Sequence, residues 1–177
     1  VIGCSFSFEK ALQDAGIPVR HIDKGENVPM YNTNIPCEKQ GIFRGNKVVS
    51  MRAIPEAQIE KAISVTEKFQ RTHGSPIHHG APEEIGITDI GKPDYGDIPV
   101  INEKDQCVFW ECGVTPQNVI ENAAKSASFP AIAHAPGHML VLDYTNENDI
   151  PEIDKTFRFS EVRKSRPNSS TGVMRRR

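Results

Sequence analysis

Apolar and polar positions change places along this chain in short stretches, and several apolar stretches end at Gly, Ser, Cys, Thr or His just before a helical pattern starts. Phe8 to Ala15 carries such a pattern, closed by Gly16 and stopped by Pro18. Residues 25–46, punctuated by Pro29, Pro36, Gly41 and Gly45, are expected to be irregular. Lys47 to Arg52 predicts a strand, and Pro55 opens an amphipathic helix to about Phe69, with Ile59, Ala62, Ile63 and Thr66 along one face. Pro76 to Gly80 predicts a short strand into a turn, 82–87 one helical turn, and 91–99 a loop. Cys107 to Trp110 predicts a buried strand, with Trp110 in the core, and Thr115-Pro116 starts a helix through about Ala124. Ala131 to His134 and Met139 to Tyr144 predict two more strands. The apolar runs before the turns alternate poorly, as in strands covered on both faces. Strand followed by helix makes α/β units, and the opening Val1-Ile2 implies that the chain begins inside a strand, as a fragment would.

Composition fits a globular protein of one domain or two small ones: 177 residues, 37% hydrophobic and 25% charged. A mean hydropathy of -0.45, with 13 Pro and 13 Gly, points to much loop. A net charge of -2 argues against nucleic acid as a partner, and no run approaches the roughly 20 apolar residues of a membrane helix. The charge is uneven, since seven Lys/Arg against Glu161 give residues 157–177 a net of +6, which leaves -8 of the total for residues 1–156. The stretch from 153 to 177 is expected to be a basic, disordered and solvated tail. Four cysteines without a Cys-x-x-Cys pair indicate reduced thiols in an intracellular protein, cytoplasmic or in the mitochondrial matrix of a eukaryote.

Small polar residues at a strand end leave backbone N–H groups free at the next helix N-terminus, where anions are favoured. The turns at Cys4-Ser5 and Gly113-Thr115 are candidates for this, and a helix N-terminus there would lower the thiol pKa of Cys4 or Cys112. Arg52, at a strand end, either grips a ligand carboxylate bidentately or pairs with a structural one. Glu9, His78 and His138 can move protons, although an acid at a helix start also simply suits the dipole. His134 follows an apolar run and fits a hydrogen-bonded core histidine.

The motifs Gly3-Cys4-Ser5-Phe6-Ser7-Phe8-Glu9, Asn34-Ile35-Pro36-Cys37, Val49-Ser50-Met51-Arg52-Ala53-Ile54-Pro55, the Pro-x-His-x-Gly-x-Pro-Glu pattern at 76–83, Lys92-Pro93-Asp94-Tyr95-Gly96-Asp97, Val108 to Gln117 and His134-Ala135-Pro136-Gly137-His138-Met139 run in order along the chain. Together they resemble the hydro-lyase family that includes D-glutamate cyclase. The resemblance implies a mixed three-layer α/β sandwich, here 1–30 plus 105–152, with an inserted smaller two-layer α+β domain at 31–104. It also implies loss of water from a small amino or carboxylic acid, with D-glutamate closing to 5-oxoproline as the named case, and an N-terminal portion upstream of the first motif.

Such a cyclisation needs donors for a carboxylate, a base for the ammonium proton and an acid to help oxygen leave. The expected catalytic residues are Cys4, Glu9, His78 and His138; the expected substrate-binding residues are Ser5, Ser7, Asn34, Arg52, Cys112, Thr115 and His134. The expected partner is a small carboxylate or amino acid, with no cofactor or metal, and with homo-oligomerisation left open. Two alternatives stand beside this: a metal-dependent hydrolase built on His78, His134 and His138, although Pro136-Gly137 prevents a helical i, i+4 ligand pair and no His-Glu-x-x-His is present, and a truncated acid-binding module without turnover.

Overall fold

The computed structural model describes residues 4–138. The expected strand at 139–144, the tail at 153–177 and the start at Val1-Ile2 lie outside the described residues. In order, the elements are α1 (Glu9–Asp14), α2 (Arg20–Lys24), β1 (Met30–Pro36), β2 (Asn46–Pro55), α3 (Ile59–Thr66), β3 (His78–His79), β4 (Asp105–Glu111) and α4 (Thr115–Ala124). Four strands form one antiparallel sheet in the order β1-β2-β4-β3. This is a mixed α/β arrangement, and the sheet crosses the expected division at 104/105, because β2 and β4 pair from Val49↔Glu111 to Pro55↔Asp105.

The end of α1 follows its sequence. Gly16 takes φ +75°, Gly16 N donates to Gln13 O at 2.8 Å, and Ile17 N donates to Leu12 O at 2.9 Å, so two orphan carbonyls are satisfied by a left-handed residue before Pro18. The helix after Pro55 begins with a 3-10 turn at Glu56–Gln58 and buries Ile59, Ala62 and Thr66. It continues as a 3-10 turn over Glu67–Thr72, interrupted at Phe69.

Two expectations need correction. Residues 30–36 are a strand, not irregular: Tyr31 and Thr33 turn inwards while Asn34 is exposed, and Pro36 is tolerated because β1 is an edge strand. Residues 131–134 are no strand; all four are exposed, Ile132 completely, so a short Ala-Ile-Ala run lacked a partner to bury it. The β3 strand is confined to His78–His79, and the expected helical turn is a 3-10 turn at Pro82–Ile85.

Because strand side chains alternate, β2 serves two cores. Ile54, with Val108 and Trp110 of β4, packs against Phe8 and Leu12 of the N-terminal helical segment and Ile59 and Ala62 of α3. Val49, Met51 and Ala53, with Cys107 and Phe109, pack against Tyr31, Ile85 and Ile87. The 91–99 loop closes the β1 edge through paired Met30 and Tyr95 backbones. Gly96 there has φ +81°, and a Cβ would run into the Val28 carbonyl, so no other residue fits without moving the chain.

Candidate active site

Arg52 sits on the helix-covered side of β2, 3% exposed, which removes its charge from water and demands compensation. Glu9, the first residue of α1, provides it: its Oε1 accepts from Arg52 Nη2 at 2.5 Å and from Nε at 3.2 Å. Ser50 Oγ accepts from Nη1 at 3.1 Å, Ser5 Oγ accepts from Nη2 at 3.2 Å, and the Ser50 hydroxyl donates to Ser5 Oγ at 3.1 Å. The rings of Phe8 and Trp110 lie 5.0 and 5.4 Å from the guanidinium carbon, adding cation–π attraction. The indole N–H of Trp110 donates to Thr66 Oγ1 at 3.2 Å.

His21 of α2 completes the cluster. Its Nε2 lies 2.9 Å from Glu9 Oε1, without the alignment of a good hydrogen bond. Burial opposes ionisation of Glu9, but the Arg52 charge and the contact with His21 outweigh it, and the carboxyl is held below its ordinary value. Beside the cluster, Arg20, His21, Glu26, Pro29, Arg52 and Val100 help line a crevice of about 20 Å³, the size of one water site. Arg20 is fixed there by a bidentate pair with Asp105, Nε to Oδ2 at 2.9 Å and Nη2 to Oδ1 at 2.7 Å.

Cys4, Ser5, Glu9 and Arg52, all expected from the sequence, therefore come together, with Arg52 holding an internal carboxylate. Cys112 is close enough to feel the charges of Cys4 and Arg52. Neither thiol is activated as expected. Burial pushes Cys112 up to about 11, although the N–H groups of Val114 and Gly113 point at its sulfur, and burial likewise raises Cys4 against the N–H groups of Phe6 and Ser5. The turn donors are present, but they face thiols, and desolvation outweighs them. Cys112 Sγ instead lies 3.4 Å from Met30 Sδ in an apolar cluster.

The other expected residues lie elsewhere. Thr115 binds the backbone of Val48, donating to its O at 3.1 Å and accepting from its N at 2.9 Å. Ser7 is half-buried in the 3-10 turn Ser5–Phe8, and Asn34 is exposed beside Gly86. His78 pairs in register with Phe109 and stacks on it, centroids 5.8 Å apart, which places it on the opposite side of the sheet from Arg52. His134 and His138 are exposed, so His134 is not a core residue. Among the described residues no three His, Cys, Asp or Glu side chains converge to hold a metal, and the His78, His134 and His138 set does not assemble. His21 and Ser50 were missed: His21 lies in the polar run Arg20-His21-Ile22-Asp23, with no local signal of its contact with Glu9.

The D-glutamate cyclase family model matches residues 1–143, and the chain belongs to that family. Among bacterial relatives, a protein named "Putative hydro-lyase" from Bacillus licheniformis is 54% identical over 147 residues, covering 83% of this chain and 55% of the relative. A protein of the same description from Oceanobacillus iheyensis is 55% identical over 148 residues, covering 83% and 58%, and one from Bordetella petrii is 56% identical over 146 residues, covering 82% and 54%. The chain thus spans little more than half the length of these relatives. No helix among the described residues is long and apolar enough to cross a membrane.

Proposed function

We propose that this protein is a lyase that removes water from a small amino or carboxylic acid, with closure of D-glutamate to 5-oxoproline as the specific reaction. The observation that carries this reading is the family match across residues 1–143, whose first and third motifs supply Ser5, Glu9, Ser50 and Arg52 to one buried polar cluster. In the reaction the substrate ammonium group loses one proton, its nitrogen attacks the distal carboxylate carbon, the nitrogen of the tetrahedral adduct loses a second proton, and one carboxylate oxygen takes up both and leaves as water as the C–O bond breaks. Arg52 supplies a fixed positive field for the carboxylate as it becomes tetrahedral, stronger in a dry site than in water. Glu9 holds Arg52 and His21 in position. His21, at the wall of the crevice, is the group placed to carry these two protons, one after the other, from the nitrogen to the departing oxygen. Arg20, locked by Asp105, is the cation available to the substrate's second carboxylate. No step in this scheme calls for a cofactor.

The test is incubation of the 177-residue chain, in parallel with the Bacillus licheniformis relative, with D- and L-glutamate while 5-oxoproline is followed by mass spectrometry. Formation from D-glutamate by both supports the reading. Formation by the relative alone would remove the activity from this chain, and formation by neither would overturn the assigned substrate.

A further inference from the structure

A second concave region lies away from the Arg52 cluster, between the hairpin joining β1 to β2 and the C-terminal end of α4. The hairpin is closed by Cys37 N donating to Gly45 O at 2.9 Å and by paired Gln40 and Phe43 backbones. Gly45 brings it close to the helix, since a Cβ there would lie 3.2 Å from both Asn122 Nδ2 and Val119 Cγ2. The result is an open groove of about 670 Å³, within the usual range of about 300–1,000 Å³ for small-ligand sites.

Its chemistry is one-sided. Lys39 and Arg44 from the hairpin and Lys125 from the end of α4 line it, with Asn46, Asn122 and Ser126 as polar neighbours and no carboxylate of the described residues among the lining. Lys125 Nζ donates to Asn122 Oδ1 at 2.9 Å, which holds that ammonium at the rim and leaves the Asn122 amide nitrogen turned towards Gly45. Nearby acids have partners: Glu38 accepts from Gln40 at 3.4 Å, and Glu111 pairs with Lys47. Among the described residues no carboxylate forms an ion pair with Lys39 or Arg44. The carbonyl end of α4 opposes an anion by about half a charge, against three cations.

We propose that this groove binds a small anion carrying two or more charges, through the planar fork of Arg44 and the ammonium groups of Lys39 and Lys125. The spacing of cations on opposite walls favours two separated anionic groups over a single one. Dicarboxylates and diphosphates share that chemistry. The inference stands independently of the dehydration reading, which the glutamate assay tests.

The experiment is calorimetric titration of the 177-residue chain at low ionic strength with glutarate and, separately, inorganic pyrophosphate. Saturable binding of either is expected, and the one that binds identifies the carboxylate or phosphate source. Binding should weaken about tenfold in the Lys39→Gln/Arg44→Gln variant, in which exposed charges alone are removed, and stay unchanged in Lys92→Gln, an exposed lysine of the 91–99 loop. Absence of saturable binding by both probes, or equal binding by the double variant and the unmodified chain, would overturn the proposal.

Discussion

Met51 and Arg52 are successive residues of β2 and almost equally buried, yet their environments have little in common. Met51 enters a purely apolar cluster with Val49, Phe109 and Ile85, whose neighbours need only the right volume. Arg52 needs a carboxylate from α1, hydroxyls from Ser5 and Ser50, and two aromatic faces. One side of the strand is satisfied by packing alone and the other also by a defined set of polar groups from separate elements.

The largest contrast should come from truncating the two residues. Arg52→Ala leaves Glu9 buried without its cation and should cost about 3–5 kcal/mol, measured by denaturant unfolding. Replacing both charges, as Arg52→Met with Glu9→Leu, should recover most of that loss, because neither charge then stays buried alone. Met51→Ala should cost about 2–5 kcal/mol through its cavity, with no comparable rescue by a second truncation. An Arg52→Ala cost below about 1 kcal/mol would place the pair in effectively solvated surroundings.

Acid should separate the two sides next. The Glu9 carboxyl is held below its ordinary value in the folded protein, so its contribution is complete above about 4.3, the unfolded value, and is lost as pH falls through the folded one. Stability of the unmodified protein should therefore drop below about pH 4.3, and Glu9→Gln should flatten that drop. An identical pH profile for the variant would mean that Glu9 titrates normally.

A smaller effect is expected at the edge of the polar side. Thr66→Val leaves the buried Trp110 N–H without its acceptor and should cost about 1–3 kcal/mol, with a shift in tryptophan fluorescence as the check.

Much of this arrangement was legible in the sequence. The α1 terminus followed from Gly16 and Pro18, the buried face of α3 from the spacing of Ile59, Ala62 and Thr66, and the core place of Trp110 from its apolar run. The edge strand β1 was hidden because Asn32, Asn34 and Pro36 resemble loop residues, and only pairing with β2 gives them strand partners. Cys4, Ser5, Glu9 and Arg52 were legible as reactive types in neighbouring motifs, and pairing with a structural carboxylate was one of the two readings of Arg52. His78 and His138 were equally reactive types, but nothing local reveals that β3 joins the far edge of the sheet or that His134 and His138 stay exposed. The thiol expectation failed because helix-end polarity is visible in sequence whereas desolvation is a property of the packed fold.

The central claim, that the Arg52, Glu9 and His21 cluster is a reaction centre and not only a folding device, is tested most directly by His21→Asn. Its rate of 5-oxoproline formation from D-glutamate is compared with that of the unmodified chain at matched folding stability. Turnover by the unmodified chain is expected, with a loss of about a hundredfold or more in the variant, the usual scale for removing a proton-transfer group, far beyond what its small loss of stability accounts for. Equal rates in the two proteins, or a loss that merely follows unfolding, would contradict it.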